Sequence, residues 1–153
     1  MKHVSFQGER GAYSEAASVS FFGNQVDTIP CSTFAEALQN TENGTSDYSV
    51  LPVENSLAGS VGESNALLLS TKLTVVGEIY HRIHHCLIGI GSLGDIDTVY
   101  SHPQALGQCR LFIQENSLKT IPSYDTAGSA KIIKDLNKSN IASVSYTHLR
   151  AHE

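Results

Sequence analysis

The chain has 153 residues, 41% of them hydrophobic and 16% charged, with a formal net charge of −5. That length suits one domain or two small lobes, and the balance reads as soluble and globular rather than disordered. The acidic surplus argues against a nucleic-acid partner, because phosphate binding wants clustered Lys and Arg. No apolar run reaches the roughly 18 residues of a membrane-spanning helix, so no membrane partner is expected.

Met1-Lys2-His3-Val4-Ser5-Phe6 leads straight into a strand-like pattern. It lacks the apolar stretch and small-residue cleavage site of a signal peptide, so the default expectation is a cytoplasmic location. The three cysteines, Cys31, Cys86 and Cys109, are odd in number and widely spaced. They suggest neither a disulfide framework nor a zinc site; buried free thiols are the simpler reading.

In chain order, Val4-Ser5-Phe6 reads as a strand, followed by the glycine-punctuated loop Gly8-Glu9-Arg10-Gly11. Ser14 is a candidate N-cap for a helix through residue 22, closed by Gly23-Asn24. Residues 26–30 form a second strand. Ser32 or Thr33 caps a helix over 34–41, whose Phe34, Ala37 and Leu38 fall at helical spacing; Asn43-Gly44 ends it.

Residues 48–53 form a strand running into a polar loop over 54–60, and 64–69 look helical. Residues 73–79 and 86–90 are long β-type runs, and the stretch 73–90 suits a crossover between two lobes. A strand over 97–101 precedes one helix over 103–115, with Pro103 near its first turn. A strand over 120–124 follows, then a helix over 127–136 capped by Asp125 or Thr126, and a last strand begins at 140–143.

Repeated strand–helix alternation argues for an α/β fold with mostly parallel sheets. In such sheets, ligands bind at the carboxyl ends of strands, next to helix N-termini. Four polar clusters stand just after strands, over 9–14, 54–60, 101–104 and 124–129.

The segment Glu54-Asn55-Ser56-Leu57-Ala58-Gly59-Ser60-Val61 offers directional donors and acceptors, with small residues that allow close backbone approach. Its plain alternative is a capped turn. Ser101-His102-Pro103-Gln104-Ala105-Leu106-Gly107-Gln108-Cys109 puts hydroxyl, imidazole and amide groups at a strand-to-helix junction whose helix start favours a carboxylate. An ordinary cap with a surface His would read the same. Tyr124-Asp125-Thr126-Ala127-Gly128-Ser129-Ala130 and Gly11-Ala12-Tyr13-Ser14-Glu15-Ala16-Ala17 repeat the logic at two more helix starts. Together they could form a pocket for a small, multiply anionic molecule.

Taken in order, Phe6-Gln7-Gly8 with Gly11-Ala12-Tyr13-Ser14-Glu15, Pro52-Val53-Glu54-Asn55-Ser56, His85-Cys86-Leu87, the segment 101–109 and the segment 125–130 resemble the prephenate dehydratase family. The likeness covers about residues 3–143. Arogenate dehydratases look much the same. The resemblance implies a two-lobed fold like type 2 periplasmic binding proteins, with mostly parallel sheets and a cleft between lobes. The lobes are expected over 1–77 and 78–143.

Two other patterns carry less. Gly89-Ile90-Gly91-Ser92-Leu93-Gly94 matches a dinucleotide fingerprint on paper, but Asp95-Ile96-Asp97 and a strand follow where a helix must open. His81, His84 and His85 look like a metal cluster; in a strand, however, His84 and His85 point to opposite faces, and no carboxylate neighbours them. No metal and no cofactor are expected.

After Ser143 the family pattern should run through another helix, return to the first lobe and reach a Thr-Arg-Phe motif, whose threonine the resemblance ties to catalysis. Residues 144–153 do not match it and resemble translated adapter sequence, so this tail is read as non-native and left out of the fold. The fold is then expected to be incomplete at its C-terminus, with an uncovered sheet edge. Reduced stability and little activity are expected for this chain, and no regulatory ACT domain is expected within these residues.

By resemblance the substrate is prephenate, with arogenate as the open alternative. The reaction expels the ring carboxylate as CO2 and the C4 hydroxyl as water to give phenylpyruvate for phenylalanine synthesis. Aromatisation drives it. A general acid would protonate the leaving hydroxyl, and a poorly solvated ring carboxylate would leave more readily.

Asn55, Ser56, Ser101 and Gln104 are the residues expected to line the site and hydrogen-bond the substrate. Backbone donors near Ala12, Tyr13, Ser14, Thr126 and Ala127 are expected to receive a carboxylate. Glu54, Ser60, His102 and Asp125 complete the binding set, although Glu54 would repel an anion unless protonated or turned away. The family implies a homodimer or larger assembly. The competing class is a non-catalytic module that binds a small anion in a periplasmic-binding-protein type of cleft.

Overall fold

β1 (Lys2–Gln7) forms because Val4 and Phe6, fully buried, alternate with residues of the opposite face. In a computed structural model of the chain, which describes residues 1–123 and 126–146, β1 is the centre of a three-stranded sheet. β2 (Val26–Cys31) and β3 (Tyr48–Val50) flank it, both parallel to it. The register pairs Val4 with Thr28 and Tyr48, and Ser5 with Ile29 and Ser49.

α1 (Tyr13–Phe22) and α2 (Phe34–Glu42) are the two crossovers. Paired residues share a face. Thr28, in the row of Val4, bonds Glu15 of α1. Ser49, in the row of Ser5, bonds the Ala37 carbonyl of α2 at 2.8 Å. The helices therefore cover opposite faces of the sheet. The face under α2 is polar but satisfied: Ser5 donates to Ser46 at 2.9 Å, Thr41 lies 2.9 Å from Ser46, and Thr41 also bonds Ser49.

A short hairpin follows, β4 (Glu54–Asn55) against β5 (Gly59–Ser60), and then α3 (Gly62–Ser70). α3 is tied to the end of α2, where Thr71 donates to Glu42 at 2.6 Å.

The second unit has a four-stranded sheet in the order β6 (His85–Gly89), β9 (Ile141–Tyr146), β7 (Thr98–Ser101), β8 (Lys119–Pro122). β7 runs parallel to both β8 and β9, and β6 is antiparallel to β9. α4 (Pro103–Gln108) and α5 (Arg110–Glu115) connect β7 to β8; α6 (Thr126–Leu136) connects β8 to β9.

Val99, Ala142 and Val144 form one buried face with Ala105, Ile113 and Leu118, and Leu87, Leu106 and Cys109 pack at its margin. On the other face Ser143 and Ser145 are fully buried. Their small side chains let α6, with buried Ser129 and Ile133, approach closely.

The chain divides into units Met1–Arg82 and Ile83–Glu153, where the sequence reading drew its line after Gly77. Both sheets are α/β and mostly parallel, as expected from the strand–helix alternation.

Several local expectations are corrected. α1 starts at Tyr13 with Ala12 as its N-cap, so Ser14 lies inside the first turn. The cap expected for α2 from Ser32 or Thr33 is Thr33, whose side chain accepts from the Glu36 N–H at 3.1 Å. Residues 73–79 are extended but join no ladder; β-type composition makes a strand only where a partner edge is offered. The single helix over 103–115 is two, because Cys109 at φ −97° and ψ 12° interrupts it. β9 continues past Ser143, and Val144 and Ser145, set aside with the tail, occupy buried sheet positions opposite Leu87 and Cys86.

Candidate functional site

In the first unit, the loop after β1 is drawn over the carboxyl edge of the sheet. The Gly8 N–H donates to Cys31 O at 2.9 Å and the Ala12 N–H to Glu9 O at 3.0 Å. Glu15 then anchors the start of α1. Its carboxylate accepts from the Gly11 N–H, from the Thr28 hydroxyl at 2.6 Å and from Arg10 at 3.4 Å. Arg10 also donates to Thr28 O at 3.1 Å. An acidic group in the first turn complements the helix dipole. Ala12, the N-cap of α1, offers no side-chain acceptor to the helix start, and Ala12, Tyr13 and Ser14 are half-buried. The ring of Tyr13 is 6.1 Å from that of His81.

The second predicted segment stands at the same edge, three residues past β3. Asn55 organises it, its Oδ1 accepting from the N–H groups of Leu57 at 2.9 Å and Ala58 at 3.1 Å. Gly59, at φ +80°, closes the hairpin in the left-handed region that a side chain would strain. Ser60 accepts from Asn65 at 2.7 Å. Asn55 is half-buried, whereas Glu54, Ser56 and Ser60 are exposed. The first unit thus brings Ala12, Tyr13 and Ser14 to the sheet edge that also carries Glu54, Asn55, Ser56 and Ser60.

In the second unit, Ser101 ends β7. It is fully buried, and its Oγ donates to Val144 O at 2.8 Å. That hydroxyl ties β7 to β9 and holds the start of α4. His102 caps α4, its Nδ1 accepting from the Gln104 N–H at 3.2 Å, as the plain cap reading of this junction would have it. Gln104 is exposed on the first turn.

α6 begins at Thr126, just past β8, so the backbone of Thr126 and Ala127 stands at the carboxyl edge of this sheet. Asp125 and Tyr124 lie outside the described residues.

One pair at this edge escaped selection. His85 Nε2 is 2.6 Å from Gln108 Oε1. Both residues lie in segments that carry the family resemblance, His85 in His85-Cys86-Leu87 and Gln108 in 101–109. The signal available was the i, i+4 spacing of Gln104 and Gln108 on one helix face.

Among the described residues no group of three or more His, Cys, Asp or Glu could hold a metal. Gly91 precedes and Gly94 lies within a 3-10 turn at Leu93–Asp95, not an α-helix. Burial pushes the thiols of Cys31 and Cys109 up, so both stay neutral. The groups at these edges that can donate to an oxygen acceptor are backbone N–H groups, amides and hydroxyls.

Among the described residues no helix is long and apolar enough to cross a membrane. The family model described as prephenate dehydratase matches residues 4–152. The arogenate dehydratase/prephenate dehydratase 1 of Arabidopsis thaliana, a chloroplastic protein, is 38% identical over 143 residues, 92% of this chain and 36% of that protein. A bifunctional N-acyl-homoserine lactone acylase/prephenate dehydratase of Komagataeibacter europaeus is 38% identical over 134 residues, 86% of this chain and 47% of that protein. A solved structure described as a novel type of quorum quenching acylase superposes with a TM-score of 0.89 at 34% identity, covering 99% of this chain and 56% of that one. The chain spans between about a third and a half of the curated relatives it matches.

Proposed function

The chain belongs to the prephenate dehydratase family, and from that premise we propose that it supplies substrate-binding surfaces for the decarboxylating dehydration of prephenate to phenylpyruvate. The carrying observation is a coincidence of two patterns. The family match runs over residues 4–152, and its recognisable motifs fall at strand carboxyl ends, beside the starts of α1, α4 and α6.

In this reading the first-turn N–H groups of α1 and α6 receive carboxylate oxygens. Asn55 holds its loop through Oδ1 and offers Nδ2 to the substrate; Ser56 and Gln104 add exposed polar contacts. Ser101 acts from beneath, by fixing the β7–α4 junction. The ring carboxylate leaves as neutral CO2, the electron pair of its C–C bond enters the ring, the C4–O bond breaks, and a proton from an acid lets the hydroxyl leave as water, so the groups needed are donors that hold two carboxylates and an acid for the leaving oxygen. The reading assigns the acid to none of the described residues. It includes a cytoplasmic setting, an assembly of two or more copies, and arogenate as the alternative substrate.

The test is calorimetric titration of the chain with prephenate, with phenylpyruvate followed by its absorbance in alkali. Saturable binding that Asn55→Ala weakens supports the reading. Absence of both binding and product overturns it.

A second reading, hydrolysis of N-acyl-homoserine lactones, is favoured by the names of the Komagataeibacter relative and the 0.89 TM-score structure. Fatty-acid release from such a lactone, assayed in parallel, decides it.

A further inference from the structure

β6 opens at His85, which pairs with Tyr146 at the carboxyl end of β9. Two residues on, Leu87 pairs with Val144 on the face packed by Ala105 and Leu106 of α4. Alternation puts His85 on that same face, beneath α4 and at the edge. There its Nε2 meets Gln108 Oε1 at 2.6 Å, partly buried. A carbonyl oxygen only accepts, so this pairing requires the tautomer with the proton on Nε2.

The bond also orients the amide. With Oε1 taken by the ring, the Gln108 NH2 turns the other way, and it makes no hydrogen bond to any described residue. Side chains on a helix lean toward its N-terminus, and the N-terminus of α4 is the end at the carboxyl edge. Gln104 stands one turn ahead on the same face.

We propose that His85 is a positioning residue: its Nε2–H clamps Gln108 Oε1 and thereby presents the Gln108 NH2 as a fixed donor to an oxygen of the substrate. The chemistry it recognises is an acceptor, a carboxylate or carbonyl oxygen, and not a hydroxyl hydrogen or an ammonium. This rests on the dehydratase reading for the substrate; the clamp itself does not.

The first experiment uses the whole chain without ligand. Long-range 15N–1H correlation at pH 8, with the His85 signals assigned by their loss in His85→Gln, is expected to show the Nε2–H tautomer. An Nδ1–H tautomer overturns the clamp, since Gln108 would then donate to the ring and face outward with its oxygen.

The second experiment is a prephenate titration read by side-chain amide shifts. The Gln108 NH2 signal is expected to move with saturation. His85→Leu, which removes the donor, should weaken binding about tenfold, and His85→Gln, whose amide can replace it, should recover most of that. Shifts at Asn55 without any at Gln108, or equal binding by both variants, overturns the proposal. If no signal moves, the dehydratase reading and the substrate half of the proposal fail together, while the tautomer still decides the clamp.

Discussion

Asn55 and Ser101 are both polar residues that follow or end a strand, yet the structure gives them different tasks. Asn55 Oδ1 holds two backbone N–H groups of its hairpin, and its Nδ2 is the half that could meet a ligand. The two halves separate by substitution. Asn55→Asp keeps the acceptor and removes the donor, so its urea midpoint should match the parent while prephenate affinity falls. Asn55→Ala should lose affinity and also about 1 kcal/mol of stability; loss of stability in both variants alike would contradict this division. Ser101 is buried against Val144 O, and Ser101→Ala should cost about 1 kcal/mol in denaturant titration through loss of this buried hydrogen bond. The types and spacing of these residues were legible in the sequence. That one hydroxyl faces a neighbouring strand was not, because β7 and β9 meet only through a pairing some 40 residues apart.

At the scale of elements, caps and glycines were the legible features, and their partners were not. Gly91, part of the misleading glycine pattern, is small for a packing reason: a Cβ there would stand 2.2 Å from Ser139 O. Backbone cannot yield as a side-chain tip can, so Gly91→Ala should destabilise by roughly 2 kcal/mol or more in urea unfolding; a neutral result would refute the close approach. The β7 entry is tied to β9 through Asp97, which accepts from Thr98 at 2.6 Å and from Asn140 at 3.2 Å. The Thr98 and then the Asn140 hydrogen bonds hold its carboxyl below the ordinary value of 3.8. A carboxylate depressed in the folded state adds stability that is present above its unfolded value and lost as pH falls through its folded one. The stability gap between the parent and Asp97→Asn should therefore be open at pH 6 and shrink below about pH 4; a gap that is constant down to pH 2 counts against it. The failed strand over 73–79 and the split of α4 from α5 share one cause. Local composition sets a preference, but edge availability and core shape decide whether it is realised.

At the scale of the molecule, the two units each bury their own sheet, and residues 73–84 run from α3 to β6 without joining a ladder. Tyr80 in this stretch is 91% exposed, and Val75 is 70% exposed. Extended, unpaired and exposed backbone is where a protease first finds its substrate. Limited chymotrypsin treatment should cut first after Tyr80 and release two fragments near the unit boundary; first cleavage inside β1 or β9 would contradict the assignment. The alternation of strand-like and helix-like runs, the strand-end position of the polar motifs and the family likeness were determined by the sequence alone. Periodicity and turn chemistry are written locally, within one or two turns of chain. What only the tertiary structure decided were the pairings: Ser101 with Val144, His85 with Gln108, Gly91 beneath Ser139, and Val144 and Ser145 as sheet residues rather than tail. Each depends on which strand lies beside which, and that follows from the packing of both faces of a sheet at once, a condition no short window of residues contains.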